Sequence, residues 1–311
     1  MSSEDKQSIV RATGLLVIEV KNSNPNGDPD RESDPRIRSH DQRGMISGVS
    51  FKRKLRDLVD NKDGEVWKQL SNGCEPGDYD ILEARRHKRT EIINLLTNNF
   101  EGFKKRFWDA RVFGNTFLEE GGGDTIRTGV AQFALGISVA PIRIERMTNT
   151  KVAPAQGGRD GGEGPTRGMA PLGYRIIEHG VYCMPFFINP TAATKTGCTR
   201  QDIELLLKLI PHAYPHTASH IRPLVEVRHA WYAEHKDPLG SFSEFLFIEE
   251  MTPKRKNNPN QSSSDSLPLK EQYEVPQKLP EDLEDKTVNF CDLCVTLPDW
   301  CREKNNDSTR A

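Results

Sequence analysis

The chain lacks any apolar run near the roughly 18 residues that a membrane-spanning helix needs. Its first ten residues, MSSEDKQSIV, lack the apolar stretch of a secretory signal. The expectation is a soluble, cytoplasmic protein with no membrane partner. Apolar residues are scarce, 35% of 311, and aromatics reach only 7%. A core can form, but much of the chain must be surface, loop or partner-covered. Cysteine is also scarce, with six residues at 74, 183, 198, 291, 294 and 301, and Cys291-Asp-Leu-Cys294 is the single close pair. A zinc site needs a second such pair or suitably spaced histidines. Cys301 offers a third ligand and nothing nearby offers a fourth. Reduced thiols, no metal and no cofactor are therefore expected.

Nucleotide and nucleophile signatures are missing as well. There is no P-loop, no G-x-S-x-G and no G-x-G-x-x-G after a strand. The histidines of HAYPHTASH recur every fourth residue, but Pro215 interrupts any helix that would align them. A surplus of one charge is absent too, the formal net charge being −2. That sum hides blocks. Residues 36–56 hold Arg36, Arg38, Arg43, Lys52, Arg53, Lys54 and Arg56 against Asp41 alone. Residues 85–111 are basic too, whereas residues 271–292 carry seven acids against Lys278 and Lys286. Screening over about 8 Å lets a ligand feel the block rather than the total.

What is present suggests alternating strands and helices. GLLVIEV (14–20) reads as a buried strand. ISGVSFKRKLRDLVD reads as a helix capped by Ser47, with Phe51, Leu55, Leu58 and Val59 on one face. AQFALGISVAPIRIERM reads as a long strand or a pair bent at Pro141. GVYCMPFFI and LVEVRHAWYA read as strands, SFSEFLFIEE as a shorter one, and TRQDIELLLKLI as a helix with a Thr199/Asp202 capping box. The order β, α, β, β, α, β is that of an α+β, ferredoxin-like (RRM-like, split βαβ) fold. Insertions interrupt it at 61–130 and 148–178, the second rich in glycine. Residues 252–290 are rich in Pro, Ser, Asn and charge, and are expected to form a poorly ordered, surface-hugging tail.

The candidate site begins in NSNPNGDPDRESDPR (22–36). Asp28, Asp30, Glu32 and Asp34 suggest a calcium loop, but an EF-hand starting at Asp28 would need Gly and Glu where Ser33 and Ser39 stand. A magnesium nuclease lacks a second acid cluster. Asn and Gly in a tight loop instead expose backbone N–H groups, which suits phosphate contact. The loop leads into the helix where Lys52, Arg53 and Arg56 share an arc beside the apolar face. That arc is either an ordinary solvated face or a site for an anionic partner. In the glycine-rich insertion, Arg167, Met169, Leu172, Tyr174 and Arg175 stand where order resumes, and an exposed Met or Leu there can wedge between bases. The aromatic signature of the usual RNA recognition motif is missing, so RNA would be held by backbone and shape rather than read base by base.

VIEVKNSNPNGDPD, GVSFKRKLRD, WDARVFGN, GVAQFALGIS and RGMAPLGYRIIEHGVY together resemble the backbone subunit of type I CRISPR Cascade surveillance complexes, the seventh Cas family of the RAMP superfamily, nearest its I-C and I-B branch. The resemblance covers roughly residues 13–250. It implies a ferredoxin-like palm (13–60, 131–147 and 179–250), inserted fingers (61–130) and a thumb (148–178), with residues 251–311 as a polar, acidic C-terminal tail. It implies a non-catalytic, crRNA-binding protein whose copies stack head-to-tail along the RNA with other Cascade subunits. Each thumb kinks out one base in six of its neighbour's guide, leaving the rest free to pair with target DNA. Carried over by position, Asn24, Asn26 and Gly27 shape the loop at the RNA backbone. Lys52, Arg53 and Arg56 neutralise phosphates, Gln132 borders the RNA, and Arg167 sits in the thumb with Met169 or Leu172 as its wedge. The family's usual basic Gly-Arg-Lys is here Gly168-Met169-Ala170, so the choice of wedge stays open, and the acidic tail has no counterpart. The alternative is a metal-dependent endoribonuclease of the type III backbone kind, using Asp28, Asp30 or Asp34.

Overall fold

The computed structural model describes residues 8–114, 128–152, 169–256 and 269–302. Strand β1 spans Ala12–Ser23. The loop after it makes a miniature hairpin of β2 (Gly27–Asp28) and β3 (Asp34–Pro35), followed by β4 (Arg43–Ile46). Helix α1 spans Gly48–Asp60, and α2 (Glu65–Leu70), α3 (Arg89–Asn98), α4 (Phe100–Arg106) and α5 (Trp108–Phe113) succeed it. Next come β5 (Ala131–Phe133), β6 (Gly136–Pro141), β7 (Ile144–Val152) and β8 (Met169–Ile188). Then follow α6 (Ala193–Thr196), α7 (Arg200–Leu209), β9 (Val225–His235) and α8 (Glu244–Met251). The last stretch adds β10 (Lys254–Arg255), α9 (Leu269–Gln272), β11 (Tyr273–Glu274), α10 (Glu281–Glu284), β12 (Thr287–Asp292) and α11 (Asp299–Arg302).

The fold is mixed α+β around an antiparallel sheet of order β12-β9-β1-β8-β6-β4, with β5 and β7 also pairing with β8. β1 lies inside it. Ala12 stands opposite Ile188 on one side and Glu234 on the other, so most of its backbone polar groups are satisfied by neighbours. Its side chains alternate between two cores. Leu16, Ile18 and Val20 meet Phe51, Leu55 and Val59 of α1 and Leu206 of α7. Leu15 and Val17 face the other way, onto Phe247 and Met251 of α8 and onto Leu269, Tyr273, Leu279 and Leu283. A strand buried on both faces reads as an unbroken apolar run, and this one does. Each such Leu, Ile or Val contributes about 1.5–3 kcal/mol by leaving water.

The helix ends follow their sequence signals. Ser47 Oγ accepts from Ser50 N at the start of α1. At α7, Thr199 and Asp202 form the reciprocal box. Two expectations are corrected. SFSEFLFIEE is helical from Glu244, because Ser243 caps it and Phe247 and Met251, one turn apart, both insert into the second core. Residues 269–302 are built into the fold rather than loosely lying on it. Leu269, Tyr273, Leu279 and Leu283 seal the second sheet face, and β12 pairs with β9 at the edge. Asp292 anchors that edge, accepting from Ala230 N at 2.8 Å and meeting His229 Nδ1 at 2.7 Å. Among the described residues, no helix is long and apolar enough to cross a membrane.

If residues 269–302 seal the sheet, truncating one of their anchors must cost stability. Leu283→Ala should lower unfolding free energy by about 2–5 kcal/mol in urea denaturation, as for a buried leucine. A loosely attached tail would give no measurable change.

Candidate nucleic-acid interface

Around β1 both faces of the sheet are covered, which leaves its edges and the loops at its strand ends as accessible places. The loop that leaves β1 and enters α1 offers such a place, and hydrogen bonds hold its shape. Asn24 is 1% exposed. Its Nδ2 donates to Ser33 O at 2.8 Å, its N donates to Ile221 O at 2.7 Å, and its carbonyl accepts from Arg222 Nε at 3.1 Å. Asn24 therefore shapes the loop from within. Asn26 links the loop to the helix, its Oδ1 accepting from Ser47 N at 2.9 Å. Gly27 sits close to its neighbour, a Cβ there meeting Ser33 O tightly at 3.0 Å. Gly48 is required, since its Cβ would lie 2.2 Å from Phe133 O. That contact seats the start of α1 on β5.

The three cations of the arc on α1 have different surroundings. Arg56 turns inward and its side chain is 4% exposed. Its Nε donates to Asp109 Oδ2 at 2.9 Å, and its Nη2 lies 3.1 Å from Glu83 Oε1. Asp109 also accepts from Leu82 N and Glu83 N, so one carboxylate joins α1, α5 and the 82–83 segment. A guanidinium held this way ties α1 to α5 and to the 82–83 segment. Arg53 lies sideways, half exposed, with Nε 2.8 Å from Asp57 and Nη1 donating to Glu83 O at 2.9 Å. Lys52 points to the β5 side. Its ammonium donates to Gln132 Oε1 at 3.3 Å and sits 5.3 Å from the centre of the Phe113 ring. Gln132 is oriented in turn by donating to Gly129 O at 3.2 Å. The geometry thus brings Lys52 together with Gln132, beside the Asn26-tethered start of α1.

Burial pushes the Lys52 ammonium down to about 8, and the neighbouring Arg56 charge pushes the same way against Glu83. Lys54 is lowered too, by burial and by Arg222, which names a second pair of cations near the loop that the residue pattern alone did not select. An anion laid against Lys52 would favour its charged form.

Two of the loop's candidate aspartates, Asp28 and Asp34, are engaged. Asp28 Oδ1 accepts from Asp30 N at 3.3 Å and lies 3.6 Å from Arg36. Asp34 is buried against Arg146 and Arg175, and Arg146 holds its carboxyl below the usual range against the effect of burial. Among the described residues, no three His, Cys, Asp or Glu side chains group as a metal site. Arg167 lies outside the described residues. Met169 and Leu172 belong to β8, opposite Val152 and Asn149 of β7, and their side chains also lie outside what is described.

Two outcomes follow. Asp109→Asn should lower stability by about 3–5 kcal/mol in urea denaturation, because it leaves Arg56 buried without its main partner. For Lys52 the sign runs with its proton: charged below its lowered pKa and neutral above it. Affinity for single-stranded RNA should therefore fall between about pH 7 and about pH 9, and Lys52→Met should flatten that fall, as read by fluorescence anisotropy.

The family model for CRISPR-associated protein Cas7 matches residues 10–274. A CRISPR-associated protein Cas7 of Haloferax volcanii is 23% identical over 221 residues, covering 63% of this chain. The match spans 62% of that relative's length. A solved chain from a CRISPR RNA-guided surveillance complex superposes with a TM-score of 0.42 at 15% identity, over 77% of this chain and 74% of its own. A second, from a pre-nicking form of such a complex, gives 0.42 at 16%, over 72% and 75%.

Proposed function

The chain belongs to the Cas7 family of CRISPR-associated proteins, and from that premise we propose that it is a non-catalytic RNA-binding backbone subunit of a type I surveillance complex. Several copies line one CRISPR RNA head-to-tail, beside other subunits, and present the guide for pairing with target DNA. A head-to-tail contact does not close on itself, so RNA length sets the copy number.

The observation that carries this reading is the Lys52–Gln132 pair beside the tethered start of α1. It is a polar, cationic strip at the rim of a sheet whose faces are both occupied. A strip of that kind contacts phosphates and leaves base edges free. The strand order β9-β1-β8-β6, with α1 and α7 on one face, supports reading residues 13–60, 131–147 and 179–250 as a ferredoxin-like palm. Residues 61–130 are then the fingers. The insertion at 148–178, which includes the outer part of the β7–β8 ribbon, is the thumb, with Arg167 and with Met169 or Leu172 as wedge. The engagement of Asp28 with Asp30 N and of Asp34 with two arginines supports the non-catalytic reading over an RNA-cutting one.

Expression together with a CRISPR array tests this. The protein should copurify with a discrete RNA, at several copies per RNA by mass and absorbance ratio. An RNA-free monomer under those conditions would overturn the reading. Lys52→Ala should keep the fold and lower the salt slope of RNA binding by about 0.7, the single-strand value for one lost phosphate contact.

A further inference from the structure

The acidic loop after β1 has a second engagement that phosphate binding does not use. Arg146 and Arg175 stand directly opposite each other on β7 and β8. Like charges facing across an antiparallel pair repel, and a two-stranded ribbon is marginal on its own. Here both guanidiniums converge on one carboxylate. Arg146 Nε donates to Asp34 Oδ1 at 3.2 Å, its Nη2 donates to the other oxygen, and Arg175 Nε lies 3.6 Å from Oδ1. Arg175 also donates to the Glu32 carbonyl and carboxylate. The Asp34 side chain is 9% exposed, while the Arg146 side chain that reaches it is 67% exposed.

The arm that presents these acids is held firmly. Glu32 and Ser33 adopt left-handed φ values of 50° and 67°, uncommon for residues with a Cβ. They are kept there by Ser33 N donating to Asp28 O at 2.8 Å and by the buried Asn24 amide donating to Ser33 O at 2.8 Å. A chain of contacts therefore runs from Asn24 through Ser33 to Asp34 and on to both strands of the ribbon.

We propose that Asp34 is a positioning residue that clamps the root of the β7–β8 ribbon by neutralising the Arg146–Arg175 pair, so that the loop after β1 and the ribbon move as one body. That the clamp also fixes how far each subunit reaches over RNA rests on the function proposed above.

Hydrogen exchange of the RNA-free protein tests the clamp directly. Asp34→Asn keeps the side-chain shape and removes the charge. Amides of residues 144–148 should exchange about tenfold faster, the loss expected for a charge-assisted bond, while β1 amides and the melting temperature stay as in the wild type. Asp34→Glu should restore much of the protection. Arg146→Gln, whose side chain is two-thirds exposed in the wild type, should act in the same direction and serves if Asp34→Asn does not fold. Unchanged exchange at 144–148, or equal acceleration there and in β1, would overturn the clamp. RNA copurification of the wild type is scored separately, so loss of RNA binding would remove the function and leave the clamp standing.

Discussion

The constraint on which the molecule depends is the burial of β1 on every side. β8 and β9 take its backbone, α1 and α7 take one row of its side chains, and α8 with the 269–283 segment takes the other. A strand so enclosed cannot present a binding surface itself, but it gives a rigid origin to whatever leaves its end. The loop at Asn24 leaves there, and its direction is set by bonds to Ser33, Ile221 and Arg222. Single-stranded RNA often binds by stacking bases on an open sheet face. Around β1 that face is occupied here, and the proposed function places RNA instead along the rim formed by the loop, α1 and β5.

Along that rim, three cations of one helix divide the work by the company they keep. Arg56 faces Asp109 and binds α1 to α5. Arg53 is shared between Asp57 and a backbone carbonyl. Lys52, whose ammonium meets an amide oxygen, keeps a charge that an incoming anion can claim. The acids are divided in the same way. Asp28 closes a turn, while Asp34 reaches across to the ribbon. A stretch that reads as a cluster of carboxylates is thus in part a scaffold, in which Asp28, Glu32 and Asp34 are engaged by the chain around them.

Much of this was legible in the sequence because local physics decides it. The apolar run of β1, the Ser47 cap and the Thr199/Asp202 box each depend on residues a few positions apart, and all three form. SFSEFLFIEE misleads because its phenylalanines at 245 and 247 suggest a period of two, whereas burial selects Phe247 and Met251. Residues 269–302 mislead through composition: a few well-spaced apolar side chains suffice to join α8 in covering the second sheet face. Arg56 and Asp34 take partners far away in the chain. Helical spacing puts Arg56 beside Lys52, but its partner Asp109 is 53 residues away. The Arg146 that engages Asp34 is 112 residues away. Such pairings belong to the tertiary fold and leave no local pattern.

The central claim is that RNA runs along the rim of loop, α1 and β5 and not across the sheet. Ultraviolet cross-linking of the purified RNA complex, with the attached peptides identified by mass spectrometry, tests it most directly. Cross-links should fall within residues 24–53 and 128–133, and at 167–172 where the proposed thumb meets a neighbour's guide. Cross-links concentrated in residues 269–292, the segment that covers the second sheet face, would contradict the account.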